Sequence, residues 1–305
     1  MMRRSILTLL ACVLAAGVSY AAKPAQPAKP ANPGRWVTVN PVATELALAL
    51  GDPARLVGVD QTSVLPATLA SLPRVGYQRT LSTEGILSLR PTLVLATEDA
   101  GPPATLQALR EANVKVEVLP AAPTVQATRE RILRAGLLLN AAPRARQLVA
   151  ALDRQLARAR ARVAAAPKPT RVLFLYTRGN ASALVSGSDT PADAVLRLAG
   201  AENAVRGFTG YRALGAEALV AAAPEALLLP ESAVQSLGGI DAVLALPGIS
   251  LTPAGRDRRV IVMDDAHLLQ FGPRLGEAVN ELFDRLHSAT APEAPEAPAA
   301  SATTK

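Results

Sequence analysis

The sequence predicts an α/β protein of two lobes joined by a long helix. Short aliphatic strands alternate with helices in both halves of the chain, a purely helical stretch separates the halves, and one segment of the first half recurs in the second. The chain has 305 residues, enough for two domains with buried cores. Half of its residues are apolar but only 3% are aromatic, which favours helices packed on aliphatic strands.

Residues 1–21 are predicted to be a cleaved secretory signal peptide. Arg3 and Arg4 precede an apolar run over 6–18, and small residues precede a cut after Ala21. The run is shorter than the roughly 20 residues that span a bilayer, which disfavours a membrane anchor. We therefore expect a periplasmic protein.

Cys12 is the only cysteine of the chain. The tetrapeptide that ends at it loosely resembles a lipoprotein box, so lipid anchoring at Cys12 is the alternative to plain cleavage. Because the apolar run continues past Cys12, we favour cleavage. The mature protein would then contain neither an intramolecular disulfide nor a cysteine-ligated metal.

The first lobe is predicted to occupy residues 35–123, after a Pro/Ala-rich tether over 22–34. Its alternation of strands and helices indicates a largely parallel sheet. The predicted elements are strand 36–39, helix 42–50, strands 56–59 and 93–96, helix 104–111 and strand 114–119.

A linking helix is predicted within residues 124–142, followed by an Arg-rich helix over 144–165. The second lobe is assigned to residues 143–287, and the tail 288–305 has a disordered composition. The second lobe's further predicted elements are strand 172–175, helix 192–199, strands 227–229 and 260–262, and helix 276–287.

An internal repeat supports two related lobes. Gly76-Tyr77 and Gly210-Tyr211 are each followed by a leucine, a glutamate three residues later and a proline seven residues after that. Each copy then continues into an aliphatic run. Both copies therefore predict a loop, a capped helical turn and a buried strand.

Charge and motifs exclude several functional classes. The net charge is +7, but the basic residues are scattered and lack interleaved aromatic residues, so we expect no nucleic-acid partner. An anionic small molecule suits the charge better. The sequence contains no nucleophile elbow, phosphate-binding loop or zinc-protease motif, so we expect a protein that is not an enzyme.

Five stretches resemble the haemin-binding proteins of bacterial haem ABC importers, which belong to the helical-backbone class of solute-binding proteins. The class also includes cobalamin and ferric-siderophore binders. The stretches are VTVNPVATELALALGDPARLVGVD, VGYQRTLSTEGILSLRPTLVLATEDAGPP, SDTPADAVLRLAGAENAV, GYRALGAEALVAAAPEALLL and DDAHLLQFGPRLGEAV. They span almost all of residues 36–287, and VGYQRTLSTEG points to haem specifically.

This resemblance implies two Rossmann-like lobes bridged by a rigid helix, with the ligand in the cleft between them and only small closing motions. The implied cargo is haem b. The implied partners are an inner-membrane ABC permease with its ATPase and, indirectly, an outer-membrane haem receptor system. We expect the protein to act as a monomer.

Tyr77 is the residue that the resemblance implies as the axial ligand of haem iron. A tyrosine oxygen is a hard anionic donor that suits ferric iron. Because a free phenol has a pKa near 10, ligation needs the iron or a nearby cation to draw off the proton. Arg79, two residues later, is expected to supply that cation or to bind a haem propionate.

The second lobe supplies the other expected contacts. Arg178 occupies a loop where some of these haemin binders carry a histidine, so a second axial ligand is absent there. Arg178 is expected to pair with a propionate or with the Tyr77 phenolate, while Tyr211 and Arg212 are expected to line the cleft. His267 is the remaining candidate for a second iron ligand, although a packed or surface histidine is the simpler interpretation.

Glu84 and Glu217 take equivalent places in the two repeats. In the wider class, one exposed glutamate on each lobe docks onto arginines of the permease, and these two match that arrangement. Each glutamate would also interact favourably with the dipole of its own helix, whatever its partner.

Three alternatives remain open at this stage. The first is the same fold carrying a ferric siderophore or a corrinoid such as cobalamin. The second is an exported enzyme on an α/β scaffold, and the third is an envelope scaffold protein that binds no small molecule.

Overall fold

The computed structural model describes residues 34–63, 70–166, 168–177 and 183–288. The predicted signal peptide, nearly all of the tether, most of the tail and Arg178 lie outside these residues. Within the described part of the chain, no helix is long and apolar enough to cross a bilayer.

The first lobe is built on a four-stranded parallel sheet. Its strand order is β2-β1-β5-β6. The central strands are buried along their whole length because both faces of the sheet are covered, as is usual for parallel sheets. The elements are β1 (Trp36–Thr38), α1 (Pro41–Leu50), β2 (Leu56–Val59), β3 (Gly76–Tyr77), β4 (Thr80–Leu81), α2 (Thr83–Ser88), β5 (Leu93–Thr97), α3 (Pro103–Glu111) and β6 (Lys115–Leu119).

Two helices connect the lobes. They are α4 (Val125–Leu138) and α5 (Ala142–Ala165). Thr124 caps α4 by accepting from the backbone N–H of Ala127 at 3.1 Å. Gly136 allows the two helices to turn back on each other, since a Cβ there would collide with Ala145. The sequence predicts the first of these as the linking helix and the second as the Arg-rich helix that begins the second lobe.

The second lobe contains a mixed sheet. Strands β7, β11 and β12 are parallel, whereas β8 and β10 continue the sheet in antiparallel pairing on the far side of β7. The elements are β7 (Arg171–Tyr176), β8 (Leu184–Ser186), α6 (Pro191–Leu198), β9 (Glu202–Asn203), β10 (Tyr211–Arg212), α7 (Ala216–Ala222), β11 (Ala226–Pro230), α8 (Glu231–Leu237), α9 (Ile240–Leu244), α10 (Pro253–Arg256), β12 (Val260–Met263), α11 (Asp265–Leu269) and α12 (Leu275–His287).

One hydrophobic cluster runs through both lobes. It takes Leu46 and Leu95 from the first lobe, Ile132 and Leu152 from the connecting helices and Phe174 from the second. All five are at most 1% exposed. Because interiors are close-packed, this shared core resists large changes in the relation between the lobes. The predicted fold class, two α/β lobes with a helical connection, is confirmed.

Candidate functional site

A cleft of about 370 Å³ lies where the carboxyl ends of both sheets meet the start of α4. Ligands of open α/β sheets collect at this end of the strands. A cavity of about 420 Å³ beside α5 and α12 is slightly larger, but it is walled mainly by charged side chains of two surface helices. The first cleft is lined by Asn40, Val42, Gln78, Arg79, Thr97, Asp99, Ala121, Pro123, Arg131, Tyr176, Pro191, Tyr211, Leu269, Gln270 and Phe271.

The wall from the first lobe is a connected polar network. The side-chain amide of Asn40 donates to Oε1 of Gln78 at 3.1 Å, and Nε2 of Gln78 donates to Asp99 at 2.8 Å. Thr97 donates to the other oxygen of Asp99. Asn40 also caps α1 by accepting from the N–H of Val42 at 3.0 Å. The strand ends thus hold these groups in fixed orientations.

The hairpin of β3 and β4 carries the predicted residues Tyr77 and Arg79. The N–H of Gly101 donates to the carbonyl of Gln78 at 2.8 Å, and the N–H of Leu81 donates to the carbonyl of Gly101 at 2.9 Å. Arg79, at the hairpin tip, lines the cleft. In the described residues its guanidinium has no hydrogen-bond or ion-pair partner. Tyr77 is half-buried in β3 and is not itself a lining residue, although the next two residues are.

The wall from the second lobe is aromatic. The ring centroids of Tyr176 and Tyr211 lie 5.9 Å apart, and those of Phe174 and Tyr211 lie 6.3 Å apart. Tyr211 is 39% exposed, yet burial of its phenol raises the pKa to about 12. The hydrogen bond with Thr190 opposes this rise and Tyr176 adds to it. The wall is suited to the face of a large conjugated ring.

Arg131 reaches the cleft from α4. It is 2% exposed, and Nη2 donates to the carbonyl of Ala122 at 3.2 Å and to Oγ1 of Thr128 at 3.4 Å. Burial lowers its pKa to about 10, against the opposing charges of Glu98 and Asp99. Arg131 remains a cation at neutral pH.

Two of the other predicted contacts are not lining residues of the cleft. The guanidinium of Arg212 stacks over the Phe208 ring, 3.8 Å from its centroid. His267 lies in the first turn of α11, where Nδ1 is 3.3 Å from Oε2 of Glu281. The hydrogen bond from His267 lowers the pKa of Glu281, against its burial and with help from Arg285.

Glu84 and Glu217 lie in the first turns of α2 and α7. Both side chains are exposed, and neither has an ion-pair partner within the described ranges. Each helix is followed by a proline and a buried strand, Leu93–Thr97 in one lobe and Ala226–Pro230 in the other. The repeat therefore places the two glutamates at matching positions.

Sequence reasoning missed the residues Asn40, Gln78, Asp99 and Arg131. Asn40 and Asp99 each follow a buried strand. Because ligand clefts of open α/β sheets lie at the ends of strands, the position of these two residues could have identified them as cleft residues. Arg131 gave no such signal, because a single arginine in a helical pattern normally faces solvent.

Comparison with known proteins places these features in a family. A model for periplasmic binding proteins matches residues 37–266. The periplasmic haem-binding protein BhuT, solved with two haems, is 43% identical with a TM-score of 0.78, and the match covers 83% of this chain and 97% of BhuT. The apo haem-binding protein RhuT of Roseiflexus sp. RS-1 is 39% identical with a TM-score of 0.79 and the same coverages. A cobalamin-binding protein of Halobacterium salinarum is 27% identical over 85% of this chain and 70% of its own length.

Proposed function

Since the chain belongs to the periplasmic binding protein family, we propose that it binds haem between its lobes and delivers it to an inner-membrane ABC permease. The observation that carries the proposal is the similarity to solved haem-binding proteins over nearly their whole length. The cleft agrees with this cargo, because it combines an aromatic wall with two cationic side chains, Arg79 and Arg131. The protein would carry haem without transforming it.

In the proposed complex, Tyr77 ligates the ferric iron. The hairpin that holds Tyr77 also holds Arg79 at the cleft, so a cation lies close in sequence to the phenol. The positive charge of the iron favours loss of the phenolic proton and the formation of an Fe–O bond. Tyr211 faces the cavity from the other lobe, and its raised pKa favours the protonated phenol as a ring contact or hydrogen-bond donor.

The same proposal includes roles for the other site residues that the sequence predicts. Arg178 would approach a propionate, and Arg212 would do so only by leaving the Phe208 ring. His267 would reach the iron only by giving up Glu281. Cleavage after the predicted signal peptide would release the protein into the periplasm, and Glu84 and Glu217 would dock it on the permease.

A corrinoid is the second candidate cargo, because the Halobacterium relative is named for cobalamin. A titration separates the two. Ferric haem added to the apoprotein is expected to produce a shifted Soret band that saturates at low ligand concentration, and an excess of cyanocobalamin should leave that band unchanged. Tight binding of cyanocobalamin, with a haem spectrum identical to that of free haem, would contradict the proposal.

A further inference from the structure

We propose that Arg131 binds a carboxylate of the ligand, so that the connecting helix α4 selects for acidic ring ligands. This inference rests on the proposed function, since the acid in question is a haem propionate. It adds a recognition group on the part of the fold that the sequence assigns only to joining the lobes.

The hydrogen-bonding capacity of Arg131 is largely unused. A guanidinium carries five N–H donors. Those of Nη2 go to Ala122 and Thr128 at 3.2 and 3.4 Å, whereas Nε is buried and has no hydrogen-bond partner. Buried donors of this kind are nearly always satisfied in native proteins. The unused donor belongs to a side chain that lines the cleft.

The charge of Arg131 also lacks a close counter-ion. In the described part of the chain, no carboxylate lies within ion-pair distance of it. The two acids that act on it from further away are engaged elsewhere. Glu98 accepts from the N–H of Ala121 at 2.8 Å, and Asp99 accepts from Gln78 and Thr97. A buried cation without a partner is costly, and an anionic group of the ligand would offset that cost.

A purely structural role fits these contacts poorly. The two acceptors of Arg131 are neutral, and an uncharged side chain could bond them without burying a charge. Arg129, two residues earlier on α4, shows the ordinary arrangement. It is half-buried on another face of the helix and pairs with Asp153 at 2.7 Å. Arg131 therefore differs from its neighbour in burial, in pairing and in access to the cleft.

The chemistry of the ligand follows from the guanidinium. Its planar fork matches a carboxylate, which accepts two parallel N–H bonds. Haem carries two such groups on its ring edge, whereas a corrinoid presents mainly neutral amides around its ring. Arg131 would therefore favour haem over a corrinoid of similar size.

The test compares ferric protoporphyrin IX with its dimethyl ester, which keeps the iron and the ring but has no free carboxylate. Both ligands are titrated into wild type, R131M and the matched control R129M. We expect R131M to bind the diacid roughly 10–100-fold more weakly, as for loss of a charged hydrogen bond, with affinity for the ester unchanged. R129M should bind both ligands as wild type does.

Thermal unfolding of the apoprotein supplies a second readout. Because R131M replaces an unpaired buried charge by an apolar side chain, we expect its apo melting temperature to equal or exceed that of wild type. If R131M does not fold, R131Q takes its place, since an amide keeps a hydrogen-bond donor at this position without the charge.

Three outcomes would overturn the inference. Equal affinity of wild type and R131M for the diacid would remove Arg131 from recognition. Equal weakening of diacid and ester would make its role structural. If wild type bound neither porphyrin, the proposed function would fail together with the inference, whereas the first two outcomes leave haem binding intact.

Discussion

Tyr77 and Tyr211 hold equivalent positions in the two repeats but have different surroundings. Tyr77 lies in a short hairpin beside a cleft-lining arginine. Tyr211 packs against Tyr176 and Phe174, and its phenol is desolvated. These surroundings differ in the direction of the two proposed roles, iron ligation by Tyr77 and ring contact by Tyr211.

Substitution of each tyrosine by phenylalanine separates these tasks. Tyr77→Phe removes the proposed oxygen donor, so we expect a displaced Soret band and a roughly tenfold or greater loss of haem affinity, on the order of 1.4 kcal/mol or more. Tyr211→Phe should weaken binding while leaving the band in place. Tyr176→Phe is the control within the same wall. A wild-type spectrum for Tyr77→Phe would show that the iron has another ligand.

The raised pKa of Tyr211 predicts a distinct alkaline titration. The folded value is about 12 against an ordinary value of 10.0, so the native state retains this proton more strongly than the unfolded chain. Its contribution to stability is present below pH 10 and is lost as the pH rises towards 12. Ultraviolet titration of wild type minus Tyr211→Phe should therefore show a tyrosinate that forms near pH 12. A transition near pH 10 would mean that the phenol is hydrated.

At the scale of elements, α4 connects the cleft to the second lobe. Oγ1 of Thr128 donates to the carbonyl of Phe271 at 3.0 Å, and Phe271 lines the cleft. Arg131 lies one turn further along the same helix. The helix that joins the lobes thus also orders the site.

Thr128→Val should destabilise the protein, although the two side chains have nearly the same volume. The substitution leaves the buried carbonyl of Phe271 without its donor, at a cost of about 1–3 kcal/mol in the free energy of unfolding. Leu137→Ala on the same helix is the control. Its side chain is 69% exposed, so we expect a change within about 0.5 kcal/mol. Urea denaturation measures the free energy of unfolding of both variants. Equal destabilisation by the two substitutions would show that the hydrogen bond from Thr128 to Phe271 contributes nothing measurable to stability.

Several elements could be predicted from the sequence because they carry their own signals. The aliphatic runs of β5 and β11 and the helical spacing of α4 and α5 appear where they were expected. Helices α8 to α11 have four to seven residues, too few to establish a helical period, so they were missed.

The candidate site was predicted only in part, for related physical reasons. The pairing of β8 with β10 depends on hydrogen bonds between distant segments, which no local pattern contains. The first turn of α11 carries His267 to Glu281, and this five-residue helix was not predicted. The burial of Arg131 depends on the packing of α4 between the lobes, which helical spacing does not specify.

At the scale of the whole molecule, the lobes are joined by more than their connecting helices. Glu45 of α1 pairs with Arg274 at the start of α12. Gly272 leaves room for the Glu45 carboxylate, because a Cβ at this position would collide with it. Burial acts to lower the pKa of Arg274, but the hydrogen bond and charge of Glu45 outweigh it and raise the pKa. With the shared core, these contacts predict only a small closure around the ligand.

A rigid carrier can present one fixed surface to a permease. In the proposed function, Glu84 and Glu217 belong to that surface. Replacing Glu84 and Glu217 by arginine should abolish permease-dependent haem uptake while leaving haem affinity unchanged, because both side chains are exposed. Glu231→Arg is the matched control, since Glu231 is also an exposed glutamate in the first turn of a helix. Normal uptake by the double variant would place docking elsewhere.

The crystal structure of the ferric haem complex tests the central interpretation most directly. We expect the porphyrin between the two lobes, with Oη of Tyr77 bonded to the iron and the aromatic wall of Tyr176 and Tyr211 beside the ring. A complex with haem outside this cleft, or with the iron held entirely by other groups, would contradict it.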